Sequence, residues 1–104
     1  MFTRIFRAAL KPGKGDGFAR AIDEKVIPIL KKFKGFRDEI AMVSADGKEG
    51  IGISFWDQQE DAEAYDRAAY ADVRKALEPF VAGVPELHKY RLTTSTVHAA
   101  VATK

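Results

Sequence analysis

Residues 2–10, Phe-Thr-Arg-Ile-Phe-Arg-Ala-Ala-Leu, alternate imperfectly between apolar and polar positions. Phe2, Phe6, Ala8 and Leu10 point one way, and Thr3, Ile5 and Arg7 the other. Aromatic and β-branched content at that period predicts a strand. Lys11 to Gly17 carries one proline and three glycines and reads as a loop. From Phe18 the period lengthens. Phe18, Ile22, Val26, Ile29 or Leu30, and Phe33 fall at steps of three and four, the stripe of an amphipathic helix of about four turns. Asp16 or Gly17 marks its start, Lys31, Lys32 and Lys34 suit its C-terminal dipole, and Gly35 can cap it. Pro28 lies inside the helix and predicts a kink or local unwinding.

Strand-like content returns from Phe36 to Ala45. Asp46-Gly47 then predicts a type I′ hairpin turn. In Ile51–Trp56, Ile51, Ile53 and Phe55 share one face and Gly52, Ser54 and Trp56 the other. Glycines 50 and 52 predict a bulge or a close approach of backbone. Asp57 with Glu60 has the spacing of a capping box and starts a second helix. Its apolar stripe is Ala62, Tyr65 and Ala69. A break near Tyr70-Ala71-Asp72 leads to a shorter helix with Val73, Ala76, Leu77 and Phe80 buried, bounded by Pro79 and ended by Gly83 and Pro85. Leu87 to about Val97 reads as the last strand, and 99–104 as a frayed tail.

The order β-α-β-β-α-β predicts an α+β, ferredoxin-like fold with a four-stranded antiparallel sheet and helices on one face. The chain has 104 residues and 46% hydrophobic content, so it reads as a single domain over 1–104. Its helices cannot cover the second sheet face, and pairing of two copies through that face is the direct way to bury it.

Charge and composition narrow the functions. Seventeen basic against fifteen acidic residues leave a net charge of +2, too balanced to point to nucleic acid or a membrane surface. With no cysteine, thiol catalysis, thiolate zinc sites and disulfides are excluded. No stretch approaches the ~20 apolar residues of a membrane span, and Arg4 and Arg7 interrupt any signal-peptide core, so the expected location is cytoplasmic. The Gly13-x-Gly15-x-Gly17 loop has neither Rossmann nor P-loop spacing. The carboxylates at 57, 60, 61, 63 and 66 point around a helix and suit its dipole better than a metal.

Pro12-Gly13 after the first strand, Gly35-Phe36 opening the second, and Phe55-Trp56-Asp57-x-x-Glu60-Asp61-Ala62 at the strand–helix junction resemble the antibiotic biosynthesis monooxygenase (ABM) domain of the dimeric α/β-barrel superfamily. The resemblance runs from about residue 2 to residue 97. It implies a homodimer whose sheets close into one barrel, and a cavity between sheet and helices in each subunit. It further implies chemistry such as oxidation of polycyclic phenols by O₂ without flavin or metal, so no cofactor is expected. The chain departs from two branches. The haem-degrading branch resembles a triad of Asn, Trp and His; this sequence has no asparagine, and Tyr65 and Lys75 stand nearest the other two positions. The phenol-oxidising branch uses Asn, Trp, Tyr and Arg, of which Trp56, Tyr65 and Arg91 have counterparts here.

The candidate catalytic residues are therefore His88 as base, and Arg91 or Tyr65 as partner of a developing oxyanion. Trp56, Phe6 and Tyr90 are candidate substrate-binding walls. Each has a structural counterpart reading: His88 as a surface or half-buried residue with one hydrogen bond, Trp56 as core packing, and the arginines 4, 7 and 91, any of which near a cavity could hold a developing enolate or phenolate, as a solvated sheet edge or an inter-subunit ion pair. His88 and His98 would be about 33 Å apart along a strand and cannot share a metal. Two function classes follow. One is a cofactor-independent monooxygenase acting on a small aromatic or quinone-like molecule. The other is a non-catalytic dimeric domain binding a small hydrophobic ligand. An isomerase or lyase on the same fold is a third.

Overall fold

A computed structural model describes residues 1–97. Strand β1 (Phe2–Leu10) leads through a loop to α1 (Gly15–Ala21), one π-helical stretch (Ile22–Val26) and α2 (Ile27–Leu30). Strands β2 (Phe36–Val43) and β3 (Glu49–Trp56) precede the long helix α3 (Gln59–Leu77). A 3₁₀ turn (Glu78–Phe80) and β4 (Val81–Arg91) complete the fold. The sheet is antiparallel throughout, in the order β2-β3-β1-β4, and is open. This is the expected ferredoxin-like arrangement.

The helices cover one sheet face. Phe18, Ile22, Val26 and Leu30 form the buried stripe of the first helical segment, and Ala62, Tyr65, Ala69, Val73 and Leu77 that of α3. They close over Phe6, Ala8 and Leu10 of β1 and over Gly50, Gly52, Ser54 and Trp56 of β3. The β3 glycines exist for close approach. A Cβ on Gly50 would stand 2.7 Å from the Phe18 ring, and one on Gly52 would stand 2.8 Å from Glu39 Oε2.

Five local expectations change. The distortion at Pro28 falls before it: Pro28 cannot donate to a carbonyl one turn back, and the preceding turn widens so that Ile27 N–H reaches the Ile22 carbonyl. The Asp46-Gly47 turn is not type I′, because only Gly47 has positive φ. Asp46 instead accepts from the Ser44 hydroxyl and Lys48 N–H, and Gly47 N–H closes on Ser44 O at 2.8 Å. The capping box at Asp57 does not form. Asp57 pairs with Arg37 at 2.5 and 2.9 Å, and Gln58 precedes the first helical residue. Helix α3 runs unbroken through residues 70–72, because its buried stripe continues in register from Ala69 to Val73.

The fifth change moves the last strand. It begins at Val81, not Leu87, and ends at Arg91. Gly83 and Pro85, expected to end a helix, lie within it. They sit where the β1–β4 register shifts between Arg7 and Ala9, and Gly83 takes φ +77° there. A bulge accommodates both a positive φ and a residue lacking N–H. The expected tail at 99–104 and His98 lie outside the described residues.

Candidate active site

Side chains alternate along β1, so Arg4 shares the helix-covered face with Phe6. It is 4% exposed. One guanidinium nitrogen donates to Asp66 Oδ1 of α3 at 2.5 Å. The guanidinium carbon lies 4.3 Å from the Tyr70 ring centre and 5.3 Å from that of Tyr65, both on α3. These aromatic faces favour the cation where water is excluded. Arg4 Nε has no hydrogen-bond partner among the described residues. A buried, unsatisfied donor on a cation is costly in a folded protein and marks a place where an acceptor would be welcome.

Arg4 lines a small cavity between the sheet and the helices, with Phe6, Glu39, Ser54, Tyr65 and Tyr70 among the other walls. Its volume is about 20 Å³, room for about one water molecule. A second chamber of about 120 Å³ opens beside it, lined by Phe6, Arg74, Glu78, Val81, Gly83 and Pro85. Phe6 is common to both. The β4 bulge thus forms part of the second chamber's wall.

Glu39 reaches the cavity from β2. A register shift between Phe36 and Asp38 inserts one residue, so Glu39 pairs with Ser54 and faces the helices. Its carboxyl lies across Gly52 and near Ile22. No hydrogen bond holds it among the described residues. Burial pushes its pKa up to about 8, against the opposing pull of Arg4. Burial also raises the Tyr65 hydroxyl above the ordinary tyrosine value, again opposed by Arg4, while Tyr70 is raised for the same reason.

The six sequence candidates divide between two faces of the sheet. Tyr65 and Phe6 line the cavity. Trp56, fully buried, lies beside it in an aromatic cluster: it stacks on Tyr65 at 5.4 Å, meets Phe36 edge-on at 5.6 Å, and donates its indole N–H to Ser54 Oγ at 2.9 Å. His88 and Tyr90 pair with Ile5 and Thr3, which places them on the opposite, open face. They stack on each other at 6.4 Å, and His88 Nε2 lies 3.0 Å from Glu86 Oε1. Arg91 is exposed at the end of β4, opposite Phe2. No single site in one chain therefore joins His88 to Tyr65.

Reading the sequence missed Glu39, Tyr70 and Asp66, and it weighed Arg4 only as a solvated or oxyanion-holding arginine. The signal for Arg4 was present, since parity with Phe6 puts it on the buried face. The signal for Glu39 was not, because the bulge at Arg37 reverses the parity of β2. Among the described residues no three His, Asp or Glu side chains come together as a metal site, and no helix is long and apolar enough to cross a membrane.

No family model and no curated sequence matches the chain. Solved structures do. The monooxygenase from the gene ActVA-Orf6 of Streptomyces coelicolor, solved with nanaomycin D, is similar over 90% of this chain and 88% of its own, with a TM-score of 0.78 at 17% identity. SnoaB, a cofactor-independent oxygenase from Streptomyces nogalater, matches over 93% of this chain and 97% of its own, with a TM-score of 0.71 at 13% identity. A Nitrosomonas europaea protein that carries antibiotic biosynthesis monooxygenase as a provisional name matches over 86% of each chain, with a TM-score of 0.69 at 20% identity. Despite that low identity, the chain has the fold of the antibiotic biosynthesis monooxygenase structures.

Proposed function

We propose that this chain is an ABM-type, cofactor-independent monooxygenase acting on a small, flat aromatic or quinone-like molecule in the cavity around Arg4. The observation that carries this reading is the buried Arg4 guanidinium with an unpaired Nε–H, in a cavity that two tyrosines also line. Chemistry with O₂ and no cofactor needs a substrate that yields a stabilised carbanion able to reduce O₂ itself. The protein then supplies a dry enclosure, a proton acceptor and a donor for the enolate or phenolate oxygen. Arg4 fills the donor role proposed from sequence for Arg91, and Tyr65 keeps its place as a second donor. Phe6 is the wall a ligand displaces to join the two chambers. The similarity to structures named as oxygenases supports the same reading.

The open sheet face belongs to a second copy of the chain. Ile40 and Met42 are 43% and 47% exposed there, and the strand register lines them up with Ile51, Ile53, Phe55 and Ile5. A contiguous apolar face of this kind fits a homodimer in which His88 and Tyr90 belong to the interface.

The cavity volume of about 20 Å³ favours a second reading, a dimeric domain that binds a small hydrophobic ligand without turnover. Native mass spectrometry followed by O₂-uptake assays separates the two. The monooxygenase reading expects a dimer that consumes O₂ with flat hydroquinones or phenols after metal removal. A dimer that retains such molecules without O₂ uptake establishes the binding domain instead. A stable monomer at micromolar concentration overturns the dimer.

A further inference from the structure

We propose that the Glu39 carboxyl is the group that takes a proton from the bound substrate and later returns it to the oxygenated product. This rests on the oxygenase reading and assigns the base that reading leaves open. The placement is geometric. The bulge at Arg37 turns Glu39 onto the helix face, opposite Ser54. Gly52 leaves the space its carboxyl occupies, since a Cβ there would stand 2.8 Å from Oε2. The carboxyl lines the same cavity as Arg4, and its lone pairs are not committed to any protein hydrogen bond among the described residues.

The charged and titratable groups around it are few. From β1 comes Arg4, whose ion pair goes to Asp66 and not to Glu39. From α3 come Tyr65, Tyr70 and Asp66. The helical stretch Gly15–Leu30 offers only Ile22, Val26 and Leu30 to the cavity. Arg4 is thus available to hold an enolate oxygen while Glu39 handles the proton. Burial raises Glu39 to about 8, and a carboxyl titrating there is a far stronger base than an exposed glutamate and can also act as an acid near neutrality.

The steps balance. The Glu39 carboxylate accepts the proton of an acidic C–H, becoming the carboxylic acid. The electron pair of that bond remains on the substrate as an enolate, whose oxygen accepts from Arg4 Nε–H. Dioxygen, the oxidant, takes those electrons and forms a C–O bond, giving a peroxide anion. The Glu39 acid protonates it, restoring the carboxylate. Loss of water from the hydroperoxide converts CH₂ to C=O, so that one O₂ yields one oxygenated product and one water.

The test uses anthrone, a flat ketone with an acidic CH₂ that O₂ can oxidise. Its CH₂ exchange with deuterated solvent is followed by NMR without oxygen, and its O₂ uptake is measured separately, for wild type, Glu39→Gln and Glu39→Asp. Wild type is expected to catalyse exchange that rises with pH and levels off above about 8. Glu39→Gln is expected to lose about 10²–10⁴-fold of that rate together with its pH dependence, and Glu39→Asp to recover part of it. Equal exchange in wild type and Glu39→Gln overturns the assignment. So does O₂ uptake by wild type without exchange, and in both cases the oxygenase reading stands. Absence of both exchange and uptake in wild type overturns that reading and this inference with it. Should Glu39→Gln fail to fold, the wild-type exchange profile decides: a flat profile between about pH 6 and about pH 9 overturns the assignment.

Discussion

Glu39 makes a prediction about stability that needs no substrate. Its carboxyl is raised from the ordinary 4.5 to about 8 because the folded protein removes much of the water around it. Between those values the native state holds a proton that the unfolded chain has released. Unfolding stability therefore falls as pH rises through this window, because the native state binds more protons there. The contribution is complete below about 4.5 and lost above about 8. Each pH unit is worth at most about 1.4 kcal/mol, so the whole span has a ceiling of about 5 kcal/mol. Water entering the cavity reduces this, and about 2–4 kcal/mol is the expected loss. Glu39→Gln keeps the shape and cannot ionise. Urea unfolding of both proteins at equal concentration, at intervals from about pH 5 to about pH 9, isolates the effect, because all other titrations cancel in the difference. The glutamine variant should gain on wild type by about 1 kcal/mol per pH unit, and the gain should flatten above about 8. Parallel stability curves would refute the reasoning, since they would mean that the carboxyl is as well solvated in the fold as in the unfolded chain.

Four further outcomes test other parts of the structure. Asp66→Asn leaves the Arg4 charge buried without its counter-ion and should cost about 2–3 kcal/mol in chemical denaturation, below the cost for a fully buried pair because Asp66 is 31% exposed. Adding Arg4→Met to that variant should recover much of the loss while abolishing ligand retention in native mass spectrometry. Gly50→Ala puts a methyl 2.7 Å from the fully buried Phe18 ring and should lower stability by about 1–3 kcal/mol, measured by thermal or urea unfolding. Ile53→Lys, in the middle of the open sheet face, should give a folded monomer by light scattering and circular dichroism; a dimer that persists would place the interface elsewhere.

The fold was legible because its main determinants are periodic. The stripe from Phe18 to Leu30 and the alternation in β1 and β3 each survive a one-residue error at their ends. Elements failed to read correctly where tertiary contacts outweighed local preference. Asp57 has the right spacing for a cap, but the exposed Arg37 guanidinium engages both its oxygens. Gly83 and Pro85 look like helix stops, yet strand pairing with β1 absorbs them in a bulge. The spacing at Tyr70-Ala71-Asp72 suggested a new cap, and continuous burial of the Ala69–Val73 stripe kept the helix whole.

The site was harder to read for a related reason. A sequence shows the parity of a strand only while its pairing is regular. One extra residue in β2 moves Glu39 from the open sheet face to the cavity, and no local pattern announces that change. His88 shows the reverse: a residue type suited to catalysis, set by regular pairing on the face away from the cavity. Arg4 is legible by parity, but an arginine among core positions is chemically unexpected. Its burial makes sense only with partners drawn from α3, some sixty residues along the chain. Asp66 neutralises it, Tyr65 and Tyr70 receive its faces, and its Nε–H is left without a partner among the described residues. For stability alone an apolar side chain would serve this position as well or better. An arginine there, with an unsatisfied donor in a cavity that an uncommitted carboxyl also lines, is what the proposed developing anion and its departing proton would require, and that conjunction supports the proposal of chemistry in this cavity.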